Sequence, residues 1–350
     1  VPRPVSRHDQ RYYHSEDDFR LADLEQYMQT ILSLSLNPAI DVSCDAEQVK
    51  PTVKIRTFHQ IHHPGGCGVN VARVIATLGG RPELVYLAGG ATGALLSDSL
   101  DRLPITQHRV GASAATRISY TVHELTRRQE YRFVPESAAV TMDEIETVLD
   151  IVRRLSFDYL VASGSLPTGA PDDIYARLAR IAADKGARTI VDSSGAALKA
   201  ALDADGIYLA KPNLTELEQL VGRPLDRAAA GREALRLVQA GKVEHIVVSM
   251  GDAGALLANA QTLLDVAAPR PIVRSTVGAG DSFVGAMTFA LASGTEIGEA
   301  FHFAVAAGSA AVMTPGTELC HREDVLKLYR ESVAEREAPT GDRLISLLAG

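Results

Sequence analysis

The sequence predicts an α/β protein with a mainly parallel sheet and a second, smaller sheet. From Met142 onward, short apolar strands alternate with helices, which is the pattern of a parallel sheet covered on both faces. Three polar segments, 53–63, 115–125 and 129–134, lie outside that pattern and predict a small sheet of their own. The chain has 350 residues and is 46% hydrophobic, enough for one large domain with a sizeable core.

The elements follow in chain order. Residues 31–36 form the first core strand, with small serines between the leucines, and residues 83–88 form another. A glycine-containing loop after the 53–63 segment opens a helix, and another after 83–88 does the same. Further strands are predicted at 159–162, 189–192, 207–210 and 245–249, an antiparallel edge at 254–268, and helices at 142–155, 172–184, 195–202, 226–240, 275–293 and 296–313.

The composition excludes several classes of protein. The net charge is −8 and the isoelectric point is about 5.7, which argues against a nucleic-acid or polybasic membrane surface. The three cysteines, Cys44, Cys67 and Cys320, form no C-x-x-C pair, which favours a reduced cytosolic protein over a disulfide scaffold or a zinc site. No apolar run reaches the roughly 18 residues that a membrane span needs. We therefore expect a cytoplasmic protein without nucleic-acid or membrane partners.

The two ends of the chain differ from its centre. Residues 1–30 are polar and lack strand patterning, so we expect an extension that is partly disordered or loosely docked. The regular pattern runs over 31–330 and predicts the main domain. Residues 331–350 are polar and are expected to form a peripheral tail.

The most informative stretch is 275–287, with the sequence STVGAGDSFVGAM. Two glycines flank Ala279, Asp281 follows, and an apolar run predicts a buried helix. Glycine permits a tight turn and close ligand approach, and a helix N-terminus favours an anion. An anion cradle beside a carboxylate suits phosphoryl transfer to a hydroxyl, with Asp281 taking the proton. By itself, the stretch fits a simple N-cap aspartate equally well.

A second glycine-rich loop, PGGCGVN at 64–70, leads in the same way into an apolar helix that ends at Leu78. Its glycines would let a substrate touch the backbone, and Asn70 offers both a donor and an acceptor. The loop is not a Rossmann G-x-G-x-x-G, and the chain contains no Walker G-x-x-x-x-G-K-[ST] motif. A tight turn before a packed helix explains the loop equally well.

Four predicted strands end in polar turns, at 163–167, 192–195, 211–216 and 249–251. In an open parallel sheet these ends share one crevice. Asn213 and Glu216 are three residues apart and share one face at the start of a helix. Their oxygens suit a hydrated Mg²⁺. Asn-x-x-Glu is also a capping box, and without context the cap is the favoured interpretation.

Three of these motifs together carry a resemblance to a known family. PGGCGVN at 64–70, KPNLTE at 211–216 and TVGAGD at 276–281 resemble the motifs of the ribokinase-like (PfkB) carbohydrate kinases, over roughly residues 31–330. LNPAID at 36–41, GSLP at 164–167, DSS at 192–194 and STV at 275–277 resemble its phosphosugar branch. YRFV at 131–134, GSAA at 308–311 and GTELC at 316–320 are most similar to the members of that branch that act on fructose 6-phosphate.

The resemblance implies a fold and an assembly. The fold is a three-layer α/β/α ribokinase-like domain with a small β-sheet lid formed by about 41–63 and 113–135. Lids of this branch commonly pair between subunits, which implies a homodimer. The implied ligands are ATP, Mg²⁺, a monovalent cation such as K⁺, and a small-molecule sugar phosphate.

The resemblance also implies residue roles. Asp281 is the implied general base, and the anion hole is formed by Gly278, Ala279 and Gly280. The sugar hydroxyls are assigned to Asp41, Gly66 and Asn70, and the sugar phosphate to Lys54, Arg117 and Arg132, with Ser165 nearby. The ATP side is assigned to Lys211, Asn213, Ser249, Gly251, Gly254, Thr276, Gly278 and Gly280. Mg²⁺ is assigned to Asn213 and Glu216, and the monovalent cation to backbone oxygens near Ser275, Val277, Ala311, Thr314 and Gly316.

Two positions depart from the family pattern. Cys67 stands where a fourth glycine is usual, so the substrate loop is less free. A Pro-Glu-Ser sequence at 135–137 replaces a Pro-Gly turn and brings the Glu136 carboxylate near the proposed phosphate site. Both departures concern substrate geometry and leave the reaction type unchanged.

The implied activity is transfer of the γ-phosphoryl group of ATP to the 1-hydroxyl of fructose 6-phosphate. Arg132 within YRFV favours this substrate over fructose 1-phosphate or tagatose 6-phosphate. A kinase for an unphosphorylated sugar or nucleoside would not need three lid cations. A non-catalytic sugar-phosphate sensor could lose Asp281 or Glu216, and both are present.

Overall fold

The computed structural model describes residues 28–204 and 206–337, and strands alternate with helices along them. The strands are β1 Ile31–Ser35, β2 Ala39–Ala46, β3 Thr57–Gly65, β4 Glu83–Ala88, β5 Thr106–Gly111, β6 Arg117–Glu124, β7 Gln129–Phe133, β8 Tyr159–Ser163, β9 Arg188–Asp192, β10 Ile207–Ala210, β11 His245–Ser249, β12 Ala255–Ala258 and β13 Leu263–Val266. The helices are α1 Cys67–Thr77, α2 Gly90–Leu100, α3 Met142–Arg154, α4 Ile174–Asp184, α5 Gly195–Asp203, α6 Leu214–Val221, α7 Arg227–Gln239, α8 Ala279–Ala292, α9 Ile297–Ala311 and α10 Arg322–Glu337.

The larger sheet has nine strands in the order β13-β12-β11-β10-β9-β8-β1-β4-β5. All neighbours pair in parallel except β12 and β13, which are antiparallel at one edge. This confirms the predicted mainly parallel sheet and its antiparallel edge. Strands β4 and β5 lie on one side of β1, and strands β8 to β13 lie on the other side. The carboxyl ends of its parallel strands therefore open on one shared crevice.

Apolar side chains on alternate residues bury both faces of this sheet. Leu32 and Leu34 of β1 face a core formed with α3, α4, α5 and α7, whereas Ile31 faces a core formed with α1, α8, α9 and α10. The buried Ser33 hydroxyl donates to the carbonyl of Gly68, at 2.7 Å. A Cβ on Gly68 would lie 2.0 Å from the Leu34 carbonyl oxygen, so only glycine lets α1 approach β1 this closely.

The smaller sheet has four strands in the order β3-β2-β6-β7. Strand β2 pairs antiparallel with β3 and parallel with β6, and β7 pairs antiparallel with β6. The prediction of one strand over 53–63 is wrong at its start. Residues 47–56 form an exposed connection with a turn at Pro51 and Thr52, and the strand begins at Thr57. We call the four-stranded sheet with this connection the lid.

Two further regions complete the described chain. Strand β5 has the polar sequence TQHRVG, which carries no strand signal, yet it pairs in parallel with β4 at the other edge of the large sheet. Helix α10 includes 331–337, part of the segment expected to be a tail, and Arg336 forms an ion pair with Glu299 at 2.7 Å. The expectations for 1–27 and 338–350 lie outside the described residues.

Over the described ranges, none of the helices is both long and apolar enough to span a bilayer.

Glycine in α8 sets how closely α8 and α1 approach. A Cβ on Gly285 would lie 2.7 Å from Val74 Cβ and 3.1 Å from the Val71 carbonyl oxygen. We therefore expect Gly285→Ala to lower the free energy of unfolding by about 1–3 kcal/mol through overpacking, despite the gain of about 1 kcal/mol in helix propensity. Urea denaturation measures the change.

Gly231→Ala in α7 is the matched control. Its Cβ would lie 3.2 Å from Leu263 Cδ2, the end of a flexible side chain that can move aside. This variant is expected to be as stable as the wild type or slightly more stable. Equal stability of the two alanine variants would show that α1 and α8 are not in close contact.

Candidate active site

The N-terminus of α8 forms an anion cradle at the crevice. Gly278, at φ 76°, precedes the helix and no side chain caps it. The first N–H groups of the helix, at Ala279, Gly280 and Asp281, therefore have no partner within the helix and favour negative charge. A Cβ on Gly280 would lie 3.7 Å from Lys211 Nζ, so an ammonium group borders the same cradle. This geometry agrees with the predicted anion hole.

Asp281 lies half-buried beside this cradle and is held by α1. Asn70 Nδ2 donates to Asp281 Oδ2 at 2.8 Å. Burial and the neighbouring carboxylate of Asp192 raise the pKa of Asp281 to about 6, against the lowering effect of Asn70, Cys67 and Lys211. The carboxylate is therefore ionised at neutral pH and still able to accept a proton.

An ion pair joins the ends of two adjacent strands next to Asp281. Lys211 Nζ lies 2.9 Å from Asp192 Oδ1, and the two side chains are only 5% and 13% exposed. Burial opposes a charge on Lys211, but the carboxylates of Asp192, Glu216 and Asp281 outweigh it and raise the pKa of Lys211. Lys211 is therefore a fixed cation. Asp192 was not among the predicted site residues, although its position at the end of β9 was a signal.

Asp41 and three arginines form the opposite side of the crevice. Asp41, on β2, lies against the Gly65 backbone, where a Cβ would be 2.1 Å from its Oδ2. Burial raises the pKa of Asp41, and the charges of Arg73, Arg117 and Arg132 oppose that rise. Asp41 thus shares its surroundings with two of the predicted phosphate ligands and with Arg73.

Arg117 and Ser165 meet at the same place. Arg117 Nη2 donates to the Asn37 carbonyl and Nη1 to the Pro135 carbonyl, both at 3.3 Å. Asn37 Nδ2 donates to Ser165 Oγ at 3.2 Å. Arg117 Nε is buried without a hydrogen-bond partner in the described chain. Ser165 and Arg117 are therefore both in contact with Asn37.

The position of Lys54 differs from the predicted strand, and Arg73 was not among the predicted site residues. Lys54 lies on the exposed 47–56 connection, and no contact within the described ranges joins it to Arg117 or Arg132. Arg73 was missed: it donates to Asn70 Oδ1 at 3.1 Å and to the Pro64 carbonyl at 2.7 Å. Its position one helical turn after Asn70 was the only sequence signal. Arg73 fixes the orientation of the amide that holds Asp281.

Asn213 and Glu216 form the capping box that was the favoured interpretation without context. Glu216 N donates to Asn213 Oδ1 at 2.9 Å, and Asn213 N donates to Glu216 Oε2 at 2.8 Å. Burial raises the pKa of Glu216 against the lowering effect of these bonds. In the described chain, no group of three acidic, histidine or cysteine side chains could hold a metal by itself. Glu216 Oε1 takes no part in either capping bond.

The predicted ATP-side residues lie where β10 and β11 end. Ser249 N donates to the Pro212 carbonyl, which joins the two strand ends at 3.1 Å. Gly251 and Gly254 follow at φ 58° and 94°. A Cβ on Gly254 would lie 2.0 Å from the Val266 carbonyl oxygen, so the turn requires glycine. Exposed Thr276 lies just before the cradle.

The loops predicted to bind a monovalent cation are adjacent, and the lid touches them. Ser275 N donates to the Val312 carbonyl, and Thr314 Oγ1 donates to the Ala311 carbonyl at 2.8 Å. The residues whose carbonyls are assigned to the ion are Ser275, Val277, Ala311, Thr314 and Gly316.

Two contacts join the lid to these loops. Ser275 Oγ donates to Glu130 Oε2 of β7 at 2.9 Å, and His63 Nδ1 lies 3.0 Å from Thr317 Oγ1.

A parallel α/β sheet with an anion cradle, an ionisable carboxylate and several arginines in one crevice is the arrangement that a small-molecule phosphotransferase needs. The pfkB family carbohydrate kinase profile matches residues 28–324. The chain belongs to this family of carbohydrate kinases.

Characterised relatives cover nearly the whole domain. ATP-dependent 6-phosphofructokinase isozyme 2 of Escherichia coli is 41% identical over 304 residues, which are 86% of this chain and 98% of the relative. The Mycobacterium tuberculosis enzyme of the same name is 37% identical over 305 residues, 85% and 88% of the two chains.

Crystal structures of phosphofructokinase-2 from Escherichia coli have the same fold. They include complexes with potassium (TM-score 0.83, 41% identity) and with fructose-6-phosphate (TM-score 0.82, 40% identity), and a tetrameric inhibited form (TM-score 0.82, 40% identity). Each match covers 87% of this chain and 99% of the other.

The raised pKa of Asp281 predicts a pH-dependent gain in stability when its charge is removed. The pKa is about 6 in the folded state against an ordinary value of 3.8, so the folded protein holds the proton more tightly. The associated stability is complete below pH 4 and is lost as pH rises through 6. Asp281→Asn should therefore be about 1–3 kcal/mol more stable than the wild type at pH 8 and no more stable at pH 4.

Thermal unfolding at the two pH values measures this difference. The matched control is Asp252→Asn, because Asp252 is exposed; its stability should follow that of the wild type at both pH values. If Asp281→Asn were still more stable than the wild type at pH 4, the ionised Asp281 carboxylate would not be the source of the difference in stability.

Proposed function

We propose that this protein transfers the γ-phosphoryl group of ATP to the 1-hydroxyl of fructose 6-phosphate, giving fructose 1,6-bisphosphate and ADP. The observation that carries the proposal is Asp281, an ionisable carboxylate held by Asn70 at the anion cradle of α8. The relatives named ATP-dependent 6-phosphofructokinase isozyme 2 support the same substrates. The tests below separate this activity from that of a kinase for fructose 1-phosphate or tagatose 6-phosphate.

Asp281 is the general base in this proposal. Its carboxylate accepts the proton of the attacking 1-hydroxyl, and Asn70 and Arg73 keep it oriented. The anion hole assigned to Gly278, Ala279 and Gly280, which includes the free N–H groups of Ala279 and Gly280, would stabilise the charge that develops on the transferred group, and the fixed cation Lys211 would reinforce it. A non-catalytic sensor would not require this pairing of base and cradle.

The cationic side of the crevice selects a phosphorylated sugar. Arg117 and Arg132 lie near Asp41, which would accept hydrogen bonds from sugar hydroxyls, together with Gly66 and Asn70. The phosphate group bound there would lie at the opposite end of the substrate from the reacting hydroxyl. Its binding energy would therefore come from a part of the substrate that does not react. Ser165 would support that pocket through Asn37, and Lys54 would have to reach it from the exposed connection of the lid.

On the ATP side, the described turns fit a nucleotide with its phosphates directed at the cradle. Lys211 and the open backbone at Gly280 provide the anion contacts, and Thr276 lies just before them. The glycine turn at Gly251 and Gly254, together with Ser249, would contact the rest of the nucleotide at the end of β11.

Asn213 and Glu216 would hold a hydrated Mg²⁺, whose charge would offset that of the phosphate oxygens when bound. The adjacent 275–277 and 311–316 loops would hold K⁺ through backbone oxygens, and the potassium complex of the Escherichia coli protein supports this.

The substrate assignment predicts a strong dependence on the sugar phosphate. The wild type should prefer fructose 6-phosphate to free fructose by orders of magnitude in kcat/KM, and Asp281→Asn should lose about 10²- to 10⁴-fold in kcat. Arg132→Ala should raise KM for fructose 6-phosphate roughly tenfold to a hundredfold, since it removes a charge-assisted bond, and leave KM for ATP nearly unchanged. An ADP-release assay measures all three.

The control for charge is Arg102→Ala, an exposed cation at the end of α2 and outside the lid. It should leave both KM values unchanged. Equal kcat/KM for fructose and fructose 6-phosphate would refute a phosphate-binding lid. Higher kcat/KM for fructose 1-phosphate or tagatose 6-phosphate would reassign the substrate within the family.

Glu216→Gln should raise the Mg²⁺ concentration needed for half-maximal activity, because a carboxylate near the hydrated ion becomes neutral. The capping bond survives, since a glutamine oxygen also accepts from Asn213 N. A Mg²⁺ titration of activity, with a parallel K⁺ titration, gives both metal requirements. An unchanged Mg²⁺ titration would leave Glu216 with its capping role alone.

The lid also supports a homodimer. Exposed large apolar side chains concentrate on it, with Phe58, Ile61, Tyr120 and Phe133 between 39% and 55% exposed. Such a concentration is unusual on a surface that faces only water. We infer that two copies pair through their lids, and that higher assembly, as in the tetrameric Escherichia coli form, builds on this pair.

A charged side chain introduced on the lid should therefore dissociate the dimer into monomers. Phe58→Glu is expected to sediment as a monomer, while Leu95→Glu, which charges a similarly exposed apolar side chain on α2, should sediment like the wild type. A wild type that sediments as a monomer would refute the pairing.

A further inference from the structure

One face of the lid rests on the loop that follows α9. Strand β2 places Ser43 against Gly316, where an added Cβ would lie 2.8 Å from Ser43 Oγ. On β3, His63 Nδ1 lies 3.0 Å from Thr317 Oγ1. Two strands of the lid therefore contact this loop directly, and a third strand, β7, contacts the segment that leads into the anion cradle.

Glu130 makes this third contact from β7. Its Oε2 accepts a hydrogen bond from the Ser275 hydroxyl at 2.9 Å, and Ser275 Oγ accepts in turn from the Val277 N–H group at 3.2 Å. Ser275 and Val277 are both buried. Val277 directly precedes Gly278, the residue before α8. Two hydrogen bonds in series therefore join the lid to the residues that form the anion cradle.

The same strand carries a proposed ligand of the sugar phosphate. Glu130 and Arg132 are two residues apart on β7, so their side chains lie on one face of the lid, about 7 Å apart along the strand. Arg132 acts electrostatically on Asp41 of β2, which places it at the sugar side of the crevice. His123 pairs with Glu130 across β6 and β7, and its Nδ1 lies 3.6 Å from Glu130 Oε2. A ligand that fixes β7 at Arg132 would therefore also fix Glu130.

We propose that Glu130 is a positioning residue that couples the sugar side of the crevice to its ATP side. Sugar phosphate bound at the lid holds Glu130 on Ser275, and Ser275 then holds the segment that presents the anion cradle to the ATP phosphates. A ligand shifts a conformational equilibrium only through contacts that differ between the two states, and the Glu130–Ser275 bond exists only while the lid lies on this segment. The proposal rests on the proposed function, because it takes the sugar phosphate to bind at the lid.

Coupling of this kind is measured as a change in binding affinity. Fructose 6-phosphate is titrated by isothermal calorimetry into the protein alone and into the protein saturated with Mg²⁺ and AMP-PNP, a non-hydrolysable ATP analogue. The K⁺ and Mg²⁺ concentrations are the same in every titration. The affinity of the wild type for fructose 6-phosphate should rise roughly 5- to 150-fold when the analogue is bound, and by linkage the sugar phosphate should raise the affinity for the analogue by the same factor.

Substitutions at the two partners test whether their hydrogen bond carries the coupling. Glu130→Ala removes the acceptor and should bring the factor close to one, because a bond to a charged group is lost. Glu130→Gln keeps an acceptor oxygen and should retain most of the wild-type factor. Ser275→Ala removes the donor and should match Glu130→Ala, and the two changes together should cause no further loss.

The matched control is Asp45→Ala, which removes another carboxylate of the lid. Asp45 also lies beside a histidine, His59 at 3.0 Å, but this partner belongs to β3 of the lid itself. The control should keep the wild-type factor, and thermal unfolding shows that each variant is folded.

A wild-type factor of one would overturn the proposal, as would a Glu130→Ala factor equal to that of the wild type. A glutamine variant that loses as much as the alanine variant, or an Asp45→Ala variant that loses the coupling too, would also overturn it. Failure of the proposed function gives a different result: the wild type would not bind fructose 6-phosphate. Fructose 1-phosphate or tagatose 6-phosphate then replaces it in the same titrations, and the same outcomes decide the role of Glu130.

Discussion

The hydrogen bond between Asn70 and Asp281 depends on two close helix contacts, and the site is organised around it. Helix α1 reaches β1 only because Gly68 has no side chain, and α8 reaches α1 only because Gly285 has none. With both helices so placed, their N-termini converge on one point at the carboxyl edge of the sheet. Gly68 and Gly285 therefore affect function by keeping the two helices close to their neighbours, since a larger side chain would separate the Asn70 amide from the Asp281 carboxylate.

The crevice is divided by charge in a protein whose net charge is −8. One side contains Asp41 among three arginines, and the other contains the buried pair of Lys211 and Asp192. Asp281 lies between them, beside a carboxylate that disfavours its charge and donors that favour it. This balance places its pKa near neutrality, where a base for a sugar hydroxyl is most useful.

Much of this organisation could be predicted from sequence, because it depends on local patterns. Apolar strands bounded by polar turns indicated the main sheet, and glycine-rich loops before apolar helices indicated both ends of the Asn70–Asp281 bond. Pairs formed across the fold could not be predicted in this way. The Lys211–Asp192 ion pair depends on β9 lying beside β10, and Arg73 looks like any helical surface cation. Lys54 was placed on a strand because the 53–63 segment alternates like one, although residues 53–56 belong to the connection before β3.

The topology also has a consequence for how the chain acquires its crevice. Asn70 and Asp281 are 211 residues apart, and β1, an interior strand of the sheet, must wait for β8 before its second edge is paired. Such long-range pairings form slowly compared with local ones. During synthesis all the described strands are made before α8, and Asp281 and the anion cradle arrive with that helix. The crevice therefore gains its reactive carboxylate only after the last described strand has been made.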